Sequence, residues 1–273
     1  MSESPFSDQG LDVERYESVQ SKLRRLKSQL PVPHVESLAR EVIRQMTDHG
    51  SRDLIQSPDI AKIEELSTAL VSSDDQSGAR FIREVRAEGA TDESVYLNYL
   101  AAAARMLGEW WEDNRVNFVQ VTYGTSRMYA IMRSMRREVA VTGIAPNKAA
   151  VFASVPGEAH FLGVTMAADL LRRDGWDIVL LVGKSHDELV DEIGRSGMIV
   201  IGLSASSDKT LEALTRLVVA LRIRVPHAAI FVSGNIAEDR PDTLELMDVD
   251  GFASDFKMAK SMLEQHATRY LAS

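Results

Sequence analysis

Apolar residues keep helical spacing over the first half of the chain, from residue 34 to residue 142. Five stripes with members three or four residues apart predict helices: Val35, Leu38, Val42 and Met46; Ile60, Ile63, Leu66 and Leu70; Phe81 and Val85; Tyr96, Leu100, Ala103 and Leu107; and Phe118, Val121, Thr125, Met128, Met132 and Met135. The alternation of three and four is typical of helices packed nearly parallel in a bundle. The helix that contains Ile60 is expected to start at Ser57-Pro58-Asp59, where Ser57 would cap it and Pro58 would lie in its first turn. We therefore predict an all-α helical bundle over 34–142, preceded by a flexible polar segment over 1–33.

The pattern changes at about residue 148, where short apolar runs rich in β-branched residues replace the helical stripes. These runs lie at 149–155, 177–182, 198–203, 228–233 and 251–253, with amphipathic helical segments between them. Continuously apolar runs indicate strands buried on both faces, and therefore a parallel sheet covered by helices. We predict a flavodoxin-like (Rossmann-like) α/β domain with five parallel strands over residues 148–273.

Three loops that follow predicted strands carry the candidate ligand-binding residues. Ligands of such sheets bind beyond the carboxyl ends of the strands, so these loops are expected to meet at one edge. The candidates are Glu158, His160 and Gly163 after the first strand, Ser204 and Ser206 after the third, and Ser233 and Gly234 after the fourth. No G-x-G-x-x-G sequence follows any predicted strand, which argues against a dinucleotide-binding site.

His160 is the candidate metal ligand. A neutral imidazole binds transition metals well, and its ring is oriented when the second nitrogen hydrogen-bonds to a carboxylate, a role open to Glu158. Gly163 would let a flat, bulky ligand come close to the start of the following helix. The alternative from these residues alone is a loop histidine that caps the helix or contacts solvent.

The composition and charge of the chain exclude some kinds of site and disfavour some kinds of partner. The chain has 273 residues, no cysteine and a formal net charge of -9, so thiolate metal sites, disulfides and cysteine nucleophiles are excluded. The acidic balance disfavours direct DNA binding, because phosphate-backbone affinity comes mostly from Lys and Arg. No apolar run of about 20 residues is present, so we expect a cytoplasmic protein with no membrane partner.

The three loops resemble the cobalamin-binding domain of methionine synthase and the B12-dependent mutases. That signature is Asp-x-His-x-x-Gly, then Ser-x-Leu, then Gly-Gly, and this chain has Glu158-x-His160-x-x-Gly163, Ser204-Ala205-Ser206 and Ser233-Gly234. Ser206 stands in place of the Leu and Ser233 in place of the first Gly. This chain has Glu158 where the motif has Asp, and the stretch from Ala167 to Trp176 follows. In both respects it is more similar to the regulatory branch of these proteins, which comprises CarH-type photoreceptors and the AerR/PpaA antirepressors of photosynthesis genes.

The predicted bundle resembles the same branch in the stretches 104–113 and 118–124. Phe118-x-x-Val121-Thr122-x-Gly124 is more similar to AerR/PpaA and to related heme-binding sensor domains than to CarH, which has Glu-His where this chain has Val121-Thr122. The CarH photochemistry and tetramer are therefore not carried over. A homo-oligomer remains one of the open alternatives for the oligomeric state.

The resemblance implies a cobalamin cofactor, in its adenosyl, methyl or hydroxo form, with His160 as the lower axial ligand to cobalt. The displaced nucleotide tail would enter past Ser204 and Gly234, while the bundle covers the upper face. Trp111 is the expected cap, and Trp110 is expected in the core because neighbouring helical residues point about 100° apart.

The resemblance also implies a function: a non-enzymatic sensor that answers light or redox state and acts on a transcription repressor of the PpsR/CrtJ type. Two alternatives are a corrinoid protein for methyl transfer and a heme-binding sensor on the same scaffold, since one histidine does not choose between cobalt and iron.

Overall fold

A computed structural model describes residues 58–137 and 148–271, which belong to two units. The first unit extends to Met135 and the second begins at Arg136. The predicted flexible segment 1–33, the predicted helix from Val35 to Met46 and the predicted cap Ser57 lie outside the described residues. Among the helices that are described, none is long and apolar enough to cross a membrane.

The described part of the first unit is helical. Its elements are α1 (Ile60–Val71), α2 (Ser77–Ala87), α3 (Asp92–Ser94), a π-helical turn (Val95–Leu100), α4 (Ala101–Glu112) and α5 (Phe118–Arg137). Asp59 caps α1, because its side chain accepts a hydrogen bond from the Ala61 N–H. Pro58 thus precedes the cap, and the predicted position of Pro58 inside the first turn was wrong. The predicted all-α character of this region is confirmed.

The core of the first unit contains most of the predicted apolar stripes. Its largest fully buried side chains are Leu66, Leu70, Tyr96, Leu100, Leu107, Met128, Met132 and Met135. Ile60 and Phe118 were expected in these stripes, but their exposed fractions are 75% and 39%. Each is the first residue of its helix, where the chain has not yet entered the packed region. The burial therefore begins about one helical turn later than the stripes suggest.

The second unit contains a sheet of five parallel strands in the order β2-β1-β3-β4-β5. The strands are β1 (Ala149–Ser154), β2 (Asp177–Leu181), β3 (Val200–Ser204), β4 (Ala229–Ser233) and β5 (Gly251–Ala253). Every strand end lies within two residues of the predicted run. Strands are added toward one edge of the sheet from β1 to β2 and toward the other edge from β3 to β5. The switch point, at which doubly wound sheets bind ligands, therefore lies between β1 and β3. The predicted flavodoxin-like architecture is confirmed.

Helices cover both faces of this sheet. They are α6 (Leu162–Arg173), α7 (His186–Ser196), α8 (Leu211–Arg224), α9 (Ile236–Asp239), α10 (Pro241–Glu245) and α11 (Phe256–Leu271), with a 3-10 turn at Asp208–Thr210. One apolar cluster joins α7 and α8 to the sheet, and a second joins α6 and α11 to the opposite face. The second face carries the pocket described next.

Candidate functional site

Glu158 is a buried carboxylate that binds the loops after β1 and β3 together. Its side chain is only 2% exposed. Oε1 accepts hydrogen bonds from the backbone N–H groups of Ala159 and His160, both at 2.8 Å, and from Nδ1 of His160 at 2.5 Å. Oε2 accepts hydrogen bonds from the Ser206 N–H at 2.8 Å and from the Ser206 hydroxyl. One carboxylate therefore fixes both the imidazole and the loop after β3.

A tight turn places Glu158 at this position. The Val155 N–H donates to the Ser204 carbonyl, which extends the pairing of β1 with β3 by one residue. The Glu158 N–H then donates back to the Val155 carbonyl, and Gly157 has φ +84° inside the resulting turn. Glycine suits that conformation because it has no Cβ. The turn directs Glu158 toward the loop after β3, which contains Ser206.

The pKa of Glu158 is lowered to about 2. Burial acts in the opposite direction and raises it, but the hydrogen bonds from His160 and Ser206 outweigh burial. The carboxylate is therefore ionised at neutral pH. An ionised carboxylate is an acceptor only, so the Nδ1 of His160 carries the proton that it shares with Glu158.

The other ring nitrogen of His160, Nε2, has a different environment. Nε2 is buried and has no hydrogen-bond partner in the described part of the chain. Buried polar nitrogens are nearly always satisfied, and leaving one unpaired costs about 1–3 kcal/mol. A fixed Nδ1–H and an unpaired Nε2 form the donor arrangement that a transition metal requires. The residues present thus fit a metal that is held by a single imidazole.

A pocket of about 240 Å³ opens on the α6 and α11 side of the sheet. Four of the predicted site residues line it: Gly163, Ser204, Ser233 and Gly234. Ser204 and Ser233 are paired in register on adjacent strands, so their side chains stand side by side at the carboxyl edge. A Cβ added to Gly163 would meet nothing within 4 Å, which agrees with the expectation that a ligand approaches there.

The backbone geometry at position 234 requires a glycine. The structure gives φ +101°, and an added Cβ would lie 2.2 Å from the backbone oxygen of Ala205. Because that atom belongs to the backbone of the loop after β3, it has little freedom to move away.

Ser206, a candidate cofactor-binding residue that stands in place of the motif's leucine, does not line this pocket. Its hydroxyl lies 2.9 Å from Nδ1 of His160 and also donates to Glu158. Sequence reasoning missed the other pocket residues, among them Phe152, Gly202 and Phe231. The signal that could have found them is the strand register.

Trp110 and Trp111 differ in their surroundings within the first unit. Trp110 is 7% exposed, and the Arg115 guanidinium carbon lies 4.4 Å from its ring centroid. Trp111 is half-buried, and its ring centroid lies 6.4 Å from that of Phe118. The role of Trp111 as a cofactor cap stays a prediction.

Truncation of Trp110 is expected to affect stability, whereas truncation of Trp111 is expected to affect cofactor retention. Trp110→Ala should lower the free energy of unfolding by about 3–5 kcal/mol, because it removes a buried aromatic side chain. Trp111→Ala should leave stability nearly unchanged and speed the loss of bound corrinoid, because a stacked aromatic contributes on the order of 1 kcal/mol. Thermal unfolding and the rate of cofactor loss on dilution measure both effects. Faster cofactor loss from a stable Trp110→Ala, with none from Trp111→Ala, would reverse the assignment.

Both halves of the chain match known domain models. Models described as B12 binding domain match residues 62–135 and residues 148–256, and together they span most of the chain. A relative from Rhodobacter capsulatus, described as an uncharacterized 20.5 kDa protein in the bchF-crtJ intergenic region, is 25% identical over 181 residues. That alignment covers 65% of this chain and 94% of the relative.

A solved structure confirms the fold. The monomethylamine corrinoid protein of Methanosarcina barkeri superposes with a TM-score of 0.63 at 18% identity, covering 75% of this chain and 98% of that chain. The protein described here belongs to the B12-binding proteins. Together with the relative from Rhodobacter capsulatus, the two domain matches confirm the resemblance to cobalamin-binding proteins of the AerR/PpaA type.

Proposed function

We propose that the protein is a cobalamin-dependent regulator and not an enzyme. In this proposal His160 holds cobalt through Nε2, and the loaded protein acts on a transcription repressor of the PpsR/CrtJ type. The observation that carries the cobalt site is the buried, unpaired Nε2 beside an Nδ1 that is fixed by Glu158. Bound cobalamin would supply a cobalt centre that responds to light or to redox state.

Glu158 and Ser206 position the imidazole in this proposal. The carboxylate orients the ring and makes Nε2 more basic through its hydrogen bond to Nδ1. Ser206 donates to the second carboxylate oxygen from both its N–H and its hydroxyl, which keeps the carboxylate from rotating away. The ring therefore presents one defined nitrogen, Nε2, to the metal.

The pocket beside Ser204 and Ser233 would hold the nucleotide tail of the cofactor. Hydroxyls at the carboxyl edge can hydrogen-bond the polar part of such a tail. Gly163 leaves space open at the start of α6, where a flat macrocycle can approach the backbone.

The regulatory part of the proposal is supported by the genomic position of a relative and by a sequence resemblance. The Rhodobacter capsulatus relative lies in the bchF-crtJ intergenic region, and the resemblance in 104–113 and 118–124 is to the antirepressor branch. A corrinoid methyl-transfer protein and a heme sensor are the alternatives, and both give different results in the next two experiments.

Cofactor-free protein incubated with hydroxocobalamin is expected to bind about one corrinoid per chain, since one His160 site is present. Gel filtration followed by an absorption spectrum and a cobalt determination gives the ratio. The same preparation incubated with heme is the control. A Soret band with heme and no retained corrinoid would establish the heme sensor instead.

Binding to the repressor is expected to change at least tenfold between cofactor states, which corresponds to about 1.4 kcal/mol of coupling. The experiment titrates a PpsR/CrtJ-type repressor with cobalamin-loaded protein kept dark, the same protein after illumination or reduction, and cofactor-free protein. Identical binding in all states contradicts the proposal. Sequence-specific DNA binding by the protein alone also contradicts the proposal. So does methyl transfer at an enzymatic rate, from the loaded protein to a thiol acceptor in the presence of a partner methyltransferase.

A further inference from the structure

The pocket beside the sheet is built in two rows that differ in polarity. The strand register aligns Phe152, Gly202, Phe231 and Gly251 across β1, β3, β4 and β5. Two residues nearer the carboxyl edge, the aligned positions are Ser154, Ser204, Ser233 and Ala253. Because side chains two residues apart in a strand share a face, both rows lie on the same side of the sheet.

The deeper row forms an aromatic floor. A Cβ on Gly202 would lie 2.9 Å from the ring of Phe152, so that ring covers the glycine. A Cβ on Gly251 would lie 3.5 Å from the ring of Phe231. The side chains that line the pocket from the helices are apolar: Val164, Ala167 and Leu171 from α6, and Phe256, Ala259, Met262 and Leu263 from α11.

The polar lining is confined to the mouth. Its residues are Ser204, Ser233, Asn235, Ser254 and Asp255, each at the carboxyl end of a strand or just after it. Leu171, by contrast, is about 12 Å further along α6 than Gly163. A ligand entering from the edge therefore passes hydrogen-bonding groups first and an apolar chamber afterwards.

We propose that this pocket selects corrinoids by the chemistry of their lower base, accepting an apolar aromatic base of the benzimidazole or phenol class and discriminating against a purine. This inference rests on the proposed cobalamin function. The polar mouth receives the sugar and phosphate of the tail, and the floor around Phe152 and Phe231 receives the base.

The selection follows from desolvation. An adenine base carries an exocyclic amine and ring nitrogens that hydrogen-bond to water, whereas dimethylbenzimidazole carries methyl groups at the corresponding end. The lining described for the floor offers these groups no polar side chain, and the strand backbone there is engaged in the parallel ladder. Leaving one such group unpaired corresponds to a loss of about tenfold or more in affinity.

The test titrates cofactor-free full-length protein with four corrinoids: cobalamin, an adenine cobamide, a phenol cobamide and cobinamide, which has no nucleotide. We expect cobalamin and the phenol form to bind about tenfold or more tightly than the adenine form. If cobinamide binds weakly but the adenine and benzimidazole forms bind equally, this inference fails and the proposed function stands. If none of the four binds, the proposed function fails.

A pair of variants locates the selectivity. Phe231→Gln places an amide in the floor and is expected to bring the ratio of the two affinities toward one. Phe252→Gln is the matched control, because Phe252 packs against the apolar cluster on the other face of the sheet and does not line the pocket. An unchanged ratio in a folded Phe231→Gln, or an equal fall in both variants, overturns the assignment. If Phe231→Gln does not fold, the four-ligand series on the unaltered chain decides.

Discussion

Gly234→Ala is expected to destabilise the α/β unit by at least about 3 kcal/mol and to abolish cofactor retention. The φ of +101° is strained for any residue with a Cβ. The added Cβ would also lie 2.2 Å from the Ala205 oxygen and 3.0 Å from the Ala205 carbonyl carbon. The loops after β3 and β4 would have to separate, although the Ala205 N–H donates to the Ser233 carbonyl. Thermal and urea unfolding measure the loss.

Two other glycines separate the causes of that effect. Gly157 has φ +84° with nothing within 4 Å of an added Cβ, so Gly157→Ala should cost only the strain, about 1–2 kcal/mol. Gly163 has neither strain nor a close neighbour, so Gly163→Ala should keep or slightly raise stability in α6 while it weakens corrinoid binding. If Gly234→Ala is as stable as Gly163→Ala, the loop geometry is not rigid.

The α/β fold could be predicted because its strands are buried on both faces and therefore stand out as apolar runs. The boundaries were less certain, as at β3, which begins at Val200 and not at Met198. Gly197 ends α7 in a left-handed conformation, and the Met198 N–H donates to the Ser196 hydroxyl, so residues 197–199 still belong to the exit from the helix. An apolar run does not reveal such a local hydrogen bond.

The π-helical turn at Val95–Leu100 could not be predicted from the stripe that contains it. Here the Ala101 N–H donates to the Tyr96 carbonyl, five residues earlier. The buried positions still recur at spacings near those of an α-helix, because a single wider turn changes the period only locally. Tyr96 and Leu100 remain fully buried, as the stripe predicted.

The contacts of the candidate site are of two kinds, local and long-range in the sequence. Glu158 and His160 are two residues apart, so the sequence alone was enough to pair them. The Ser206 hydroxyl reaches the same imidazole from 46 residues away. The strand prediction brings both loops to one edge, but which hydroxyl faces the ring depends on the register of β1 with β3. A slip of one residue would turn Phe152 to the other face of the sheet, so the aromatic floor depends on the same register.

His160→Ala is expected to remove the axial nitrogen from cobalt and to lower corrinoid affinity by more than tenfold, while the fold survives. Removal of the ring leaves Oε1 of Glu158 with two backbone donors, from Ala159 and from residue 160 itself, so the buried carboxylate stays satisfied. The stability loss should then be about 1.5–3 kcal/mol, the contribution of one hydrogen bond to a charged group. Paramagnetic resonance of the reduced cobalt form reports directly on an axial nitrogen.

His186→Ala is the matched control for this prediction. His186 is the first residue of α7, the helix that follows β2 from the same edge of the sheet, and it does not line the pocket. It should keep the axial-nitrogen signal and the affinity of the unaltered protein. The decisive comparison is between two histidines on one sheet edge, only one of which has its Nδ1 fixed by a buried carboxylate. An axial-nitrogen signal that persists in His160→Ala would mean that another side chain binds cobalt.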